Sequence, residues 1–157
     1  MDEELNRIRD ALLANPVIVA IEGSGTIGID TTPTTVRLGI GDTPEIDVPG
    51  GAWDSTLGDW TVSLSGIYTF AVQAFIAAFG PGNKSYQATL EVFVNSISRG
   101  VQITGGADDV PLALNLSKST GLIAGDVVYV ELTTLHEQFT GSSDYSYSMS
   151  AIRAASL

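Results

Sequence analysis

The chain has 157 residues, 44% hydrophobic and 16% charged, with 18 acidic side chains against 7 basic ones and a formal net charge of −11. That length suffices for one well-buried domain, and no apolar run approaches the ~20 residues of a membrane-spanning helix. The absence of cysteine excludes disulfides, thiol chemistry and cysteine-based zinc sites, and seven scattered basic residues argue against a nucleic-acid surface.

Asp2, Glu3 and Glu4 place negative charge where a helix N-terminus favours it. Leu5, Ile8 and Leu12 follow at helical spacing, and Asn15-Pro16 supplies a stop. The sequence therefore predicts a short helix over Glu3 to Ala14, too short to be a stable coiled coil alone. It is free to pack on its own domain, nucleate a three-helix stub, or serve as a docking arm. The acidic start is opposite in sign to a signal-peptide n-region, so the expectation is synthesis in a cytosol without general secretory export.

After Pro16 the pattern is strand and turn. Val17 to Glu22 is a short apolar run, which Gly23-Ser24-Gly25 is expected to break; β-branched runs follow at Thr26 to Thr31 and Thr34 to Ile40. The Gly23 to Gly28 spacing fits a Gly-x-Gly-x-x-Gly count, but β-branched residues follow where a dinucleotide fold needs a helix. Gly41 to Gly58, with Pro44, Pro49, Gly50 and Gly51, is the strongest loop signal. Trp60 to Leu64 leads into a long strand, Gly66 to Phe79, that is apolar on both alternating faces apart from Thr69 and Gln73. An antiparallel strand with one wet face shows polar residues at every second position. This one asks for two dry surfaces, a sandwich core and a second cover, for which a partner subunit is the simplest candidate.

Ser85 to Asn95, Ile97 to Thr104, Leu112 to Ser117, Asp126 to Thr134 and Asp144 to Ala154 alternate as further strands. Such a succession of strands with no helical pattern between them predicts an all-β sandwich or barrel.

The order of several segments resembles the tumour-necrosis-factor and complement-one-q globular-head superfamily. The matching pieces are Thr32-Pro33-Thr34-Thr35-Val36, Trp60-Thr61-Val62, Ser65-Gly66-Ile67-Tyr68-Thr69-Phe70, Leu90 to Asn95, Leu122 to Val130, and the aromatic closing strand Tyr145 to Ile152. The resemblance implies an antiparallel jelly-roll sandwich over residues 17–157 and a tight homotrimer; residues 1–16 are expected ahead of it as an N-terminal helix or docking arm. Ile67, Ala71, Phe75, Phe79, Tyr145 and Tyr147 are its expected trimer-interface residues. The chain carries no collagen-like Gly-X-Y stalk, and its closing strand departs from the usual phenylalanine-glycine ending. A bare head of this kind is similar to bacteriophage virion proteins, made and assembled in the host cytoplasm. The function expected on that basis is a trimeric decoration or cement protein on the capsid surface. Leu5, Ile8, Leu12, Val17 and Val19 would dock it on the major capsid protein. The alternative is a receptor-binding fibre tip, with Trp53 and Asp54 in the Pro/Gly-rich loop contacting a host glycan.

Signals for chemistry are thin. His136 is the lone histidine, and no Gly-x-Ser-x-Gly elbow accompanies it; the expectation is no enzyme, no cofactor and no metal. Asp108-Asp109 lies in a glycine-rich turn that could attract calcium but lacks the spaced ligands of a dedicated site, so a solvated turn is expected. Trp60 is expected to plug the core.

Overall fold

The computed structural model describes residues 3, 4, 6, 18–48, 52–82, 84–138 and 140–155. Of the expected N-terminal helix only Glu3, Glu4 and Asn6 are among them, in helical conformation; Leu5, Ile8, Leu12 and the adjacent Val17 lie outside the described residues. The described residues form eleven strands: β1 (Ile18–Ile29), β2 (Thr34–Arg37), β3 (Ile46–Val48), β4 (Trp53–Asp54), β5 (Asp59–Thr61), β6 (Gly66–Ile76), β7 (Ser85–Val94), β8 (Ile97–Ala107), β9 (Leu112–Leu122), β10 (Val127–His136) and β11 (Gly141–Ala155). They make two antiparallel sheets. The first runs β3-β1-β11-β6-β9, the second β4-β5-β10-β7-β8, with β2 pairing beside β5 on the free side of β10.

Alternation decides which side chains meet between the sheets. Tyr68, Phe70, Val72, Ala74 and Ile76 of β6 are buried, as are Ala88, Leu90 and Val92 of β7 and Val128, Val130 and Leu132 of β10. Trp60 fills one end of this core, edge-on to Tyr68 with ring centroids 5.2 Å apart. The β7–β8 hairpin turns at Asn95 and Ser96, both in the left-handed region (φ 49° and 64°), which suits the right-handed twist of the flanking strands. Asn95 then holds the next turn: its Nδ2 donates to Asp126 Oδ1 (2.8 Å), its Oδ1 accepts from Val127 N (2.9 Å), and Asp126 Oδ2 accepts from Ile123 N (2.9 Å). Asn95 and Asp126 thus form a clasp between two loops.

Two expectations about elements need correction. Gly23-Ser24-Gly25 does not interrupt the chain; β1 runs through it. Gly23 and Gly25 lie directly opposite Tyr147 and Tyr145 on β11, and a Cβ at either would stand 2.5 Å and 2.8 Å from the respective tyrosine oxygen. Glycine here makes room for aromatic rings, a strand role rather than a turn role. The long strand also stops at Ile76, so Phe79 leaves the sheet and turns inward.

Candidate functional site

The outward face of the five-stranded sheet follows from its register. Ile18, Ile152, Thr69 and Ser119 form one row across β1, β11, β6 and β9; Ala20, Ser150, Ala71 and Ser117 form the next. Glu22, Ser148, Gln73 and Asn115 come third, then Ser24, Ser146, Phe75 and Ala113. Glu22 is the one charged side chain in these four rows. Small residues make the face flat, and three large apolar groups stand on it: Phe75 at 46% exposure, Ile67 at 39% and Ile152 at 48%. The opposite sheet faces water differently. There the Arg37 guanidinium sits 3.6 Å from the Tyr129 ring centroid and 3.6 Å from Glu131, and Tyr129 stacks on Phe93. A charged, self-satisfied ladder of that kind suits solvent.

Of the expected interface residues, Ile67, Ala71 and Phe75 share this outward face. Tyr147 does not: it is 5% exposed, points between the sheets, and its hydroxyl donates to the Asp42 carboxylate. Tyr145 lies half-buried beside it, packed on the core. Burial, then the neighbouring Asp42, hold both phenols above the ordinary tyrosine value, so both remain donors. Alternation separates the two sides of β11 but does not say which is inside, and the glycines of β1 settle that in favour of the tyrosines. Phe79 also packs inward, edge-on to Tyr86 (4.7 Å) and His136 (5.7 Å). Val19, expected to dock on a capsid, is a core residue at 5% exposure.

The residues of the glycan alternative have structural duties. Trp53 packs against the core with its indole Nε1 donating to Asp42 O (3.3 Å). Asp54 Oδ1 accepts from Thr56 N and Leu57 N, closing the β4–β5 turn. Its cross-strand partner Asp59 is buried; that burial, then the Asp54 charge, raise the Asp59 carboxyl above the ordinary aspartate value, against the pull of Arg37.

The Asp108-Asp109 turn is not solvated at Asp108, which is 1% exposed. Its Oδ1 accepts from Gly82 N (2.6 Å), its carbonyl from Phe79 N and Gly80 N, and its Oδ2 faces His136 Nε2 at 3.7 Å. His136 Nδ1 in turn accepts from Gln138 N (3.1 Å). The Asp108 bonds to Phe79, Gly80 and Gly82 tie two loops together at one end of the sandwich, with the His136 ring packed beside them. Among the described residues no three His, Asp or Glu side chains converge as a metal-ligand set. A gap of about 30 Å³ between the sheets, bordered by apolar groups of Val19, Trp60 and Phe70, is no larger than about one water and too small for a substrate.

No family model and no curated protein matches the chain. Solved structures do. The globular domain of zebrafish complement 1qA protein aligns with a TM-score of 0.65 at 13% identity, over 91% of this chain and all of that one. Eiger TNF from S. frugiperda aligns with a TM-score of 0.52 at 15% identity, over 91% of this chain and 95% of that one. The fold is therefore the jelly-roll sandwich of the tumour-necrosis-factor and complement-one-q globular heads.

Proposed function

We propose that this chain is a non-enzymatic structural protein of a bacteriophage virion, assembled as a homotrimer in the host cytoplasm and decorating the outside of an icosahedral capsid. One observation carries the self-assembly: the outward face of the five-stranded sheet is flat, nearly uncharged, and exposes Phe75, Ile67 and Ile152. A solvent-facing antiparallel sheet alternates apolar-in with charged-out, and exposed apolar patches of this kind mark interaction surfaces. Covering on the order of 1,000 Å² per copy at about 25 cal/mol per Å² offsets the entropy of ordering three chains. The hydroxyl-bearing rows allow hydrogen bonds across the same contact.

The capsid end of the reading rests on residues 1–16 and the adjacent Val17, where the Leu5, Ile8, Leu12 stripe supplies an apolar grip. Three such arms on one rigid head act at high effective concentration, so modest contacts add up to stable attachment. The jelly roll serves as scaffold and the arms as anchors. The test is removal of residues 1–16: the shortened protein keeps its assembly state but no longer co-sediments with capsids. A shortened protein that still decorates capsids overturns the anchoring role.

A further inference from the structure

We propose that the base of the head, the end at which the chain enters β1, is the seat of the chain's own N-terminal helix, with Leu5, Ile8 and Leu12 covering Leu64, Ile97 and Ile123. The contact lies within one subunit and does not rest on the assembly reading. For the capsid reading it makes release of the arm a step of attachment.

Three loops build the base. Residues 62–65 join β5 to β6, residues 95–97 turn β7 into β8, and residues 123–126 lead from β9 to β10. Hydrogen bonds stitch them into one surface: Val62 N donates to Asp126 O (2.8 Å), Gly125 N to Val62 O (2.8 Å), Ala124 N to Ser65 Oγ (3.0 Å) and Asn95 N to Val127 O (2.8 Å). Leu64, Ile97 and Ile123 nevertheless stand 38%, 57% and 61% exposed. The one charged side chain in these loops is Asp126, whose two carboxylate oxygens already accept from Asn95 and Ile123. The opposite end carries Asp30, Lys84, Asp109 and Glu137. In a chain of net charge −11, a stitched end with three large apolar groups and one committed charge marks a contact surface.

Connectivity names the cover. Ile18 opens β1 opposite Ile152, at this same end, so residues 1–17 start from the rim of the base. Glu3, Glu4 and Asn6 are helical and exposed. A helix this short is marginal in water and depends on burying one face. The face turned away from Glu3 and Asn6 is the Leu5, Ile8, Leu12 stripe. The dimensions agree. From β1 to β9, across β11 and β6, is three strand spacings, about 14 Å. Residues 15–17 bridge up to about 10 Å, and a helix over residues 3–14 adds about 18 Å. Direction follows from the chain. Leu12 lies nearest β1, and the acidic first turn, Asp2 to Glu4, reaches the far side, where Arg99 stands exposed two residues past Ile97. Apolar stripe then meets apolar loops, and acidic turn meets a cation.

The chain has no cysteine, so engineered pairs report without background. Full-length I8C/I123C and N6C/I123C proteins are treated with a short bismaleimide and run on denaturing gels. The proposal expects links within single chains to form at least tenfold faster for I8C than for N6C, which faces away. Equal rates mean a free tether and overturn the seat. Links formed only between chains place the helix on another copy and overturn it too. Hydrogen exchange gives a second reading: amides of residues 8–14 should exchange at least tenfold slower than in an unstructured chain. That protection should be lost in L64E/I123E while β6 and β7 stay protected. Protection absent in wild type, or unchanged in the double variant, overturns the proposal.

Discussion

Replacing Gly23 by alanine tests whether Gly-x-Gly in β1 is a turn or a seat for aromatic rings. The added Cβ would stand 2.5 Å from Tyr147 Oη and 2.7 Å from its Cε1, roughly 1 Å inside ordinary contact. The ring has little room to yield. It is buried, stacked against Tyr145 at 6.3 Å, and its hydroxyl is bonded to Asp42. Overpacking a core costs roughly 1–3 kcal/mol, and losing a hydrogen bond to a charged acceptor adds about 1.5–3 kcal/mol. A total of about 2.5–6 kcal/mol lowers the melting temperature of a domain this size by roughly 5–24 °C. Thermal unfolding followed by circular dichroism at fixed protein concentration reads the shift. Y147F alone removes only the hydroxyl and should cost about 1.5–3 kcal/mol. Because the added Cβ meets both partners of the Tyr147–Asp42 hydrogen bond, the Asp42 carboxylate nearer than the hydroxyl, both changes act on one contact, and the G23A/Y147F double variant should cost at least about 1 kcal/mol less than the two singles summed. A G23A protein within about 0.5 kcal/mol of wild type, or strictly additive singles, would refute the reasoning.

Three further outcomes follow from particular contacts. Asp59 has a raised carboxyl value, so its ionised form is disfavoured in the fold: stability is retained at low pH and lost as pH rises through the folded value. D59N should therefore be more stable than wild type at pH 7 by the roughly 0.2–1 kcal/mol of a like-charge cross-strand pair, and the gap should close near pH 3; equal gaps in urea midpoints at both pH values would contradict this. D126A breaks the clasp to Asn95 and Ile123 and should cost about 1–3 kcal/mol, read from the same melts. F75E places a charge on the exposed sheet face; it should leave the melting of the isolated subunit within about 0.5 kcal/mol while abolishing assembly in light scattering.

The alternation in Tyr68 to Ile76, Tyr86 to Val94 and Val128 to Leu132 identified core strands correctly, because period two is a local property of each segment. The facing of Ile67, Ala71 and Phe75 away from that core was legible for the same reason. What the sequence did not convey depends on neighbours distant along the chain. Tyr145 and Tyr147 share a face of β11 opposite the serines, yet only the gaps at Gly23 and Gly25, some 120 residues earlier, make that face the inner one. Asp108 looks like a solvated turn residue until Gly82 and His136 are brought against it. Val19 belongs to a short apolar run whose inner and outer positions differ by one residue, and pairing with β11 puts it inside. Phe79 continues an apolar run past the last ladder bond, where no local signal marks the strand end.

The most direct test of self-assembly is the mass of the full-length protein in solution by analytical ultracentrifugation at micromolar concentration. A single species of three times 16.4 kDa is the result expected if the bare sheet face is built to be covered by another copy. A single species of 16.4 kDa that persists as concentration rises would mean Phe75, Ile67 and Ile152 live in water, and the trimeric decoration role would fall with it.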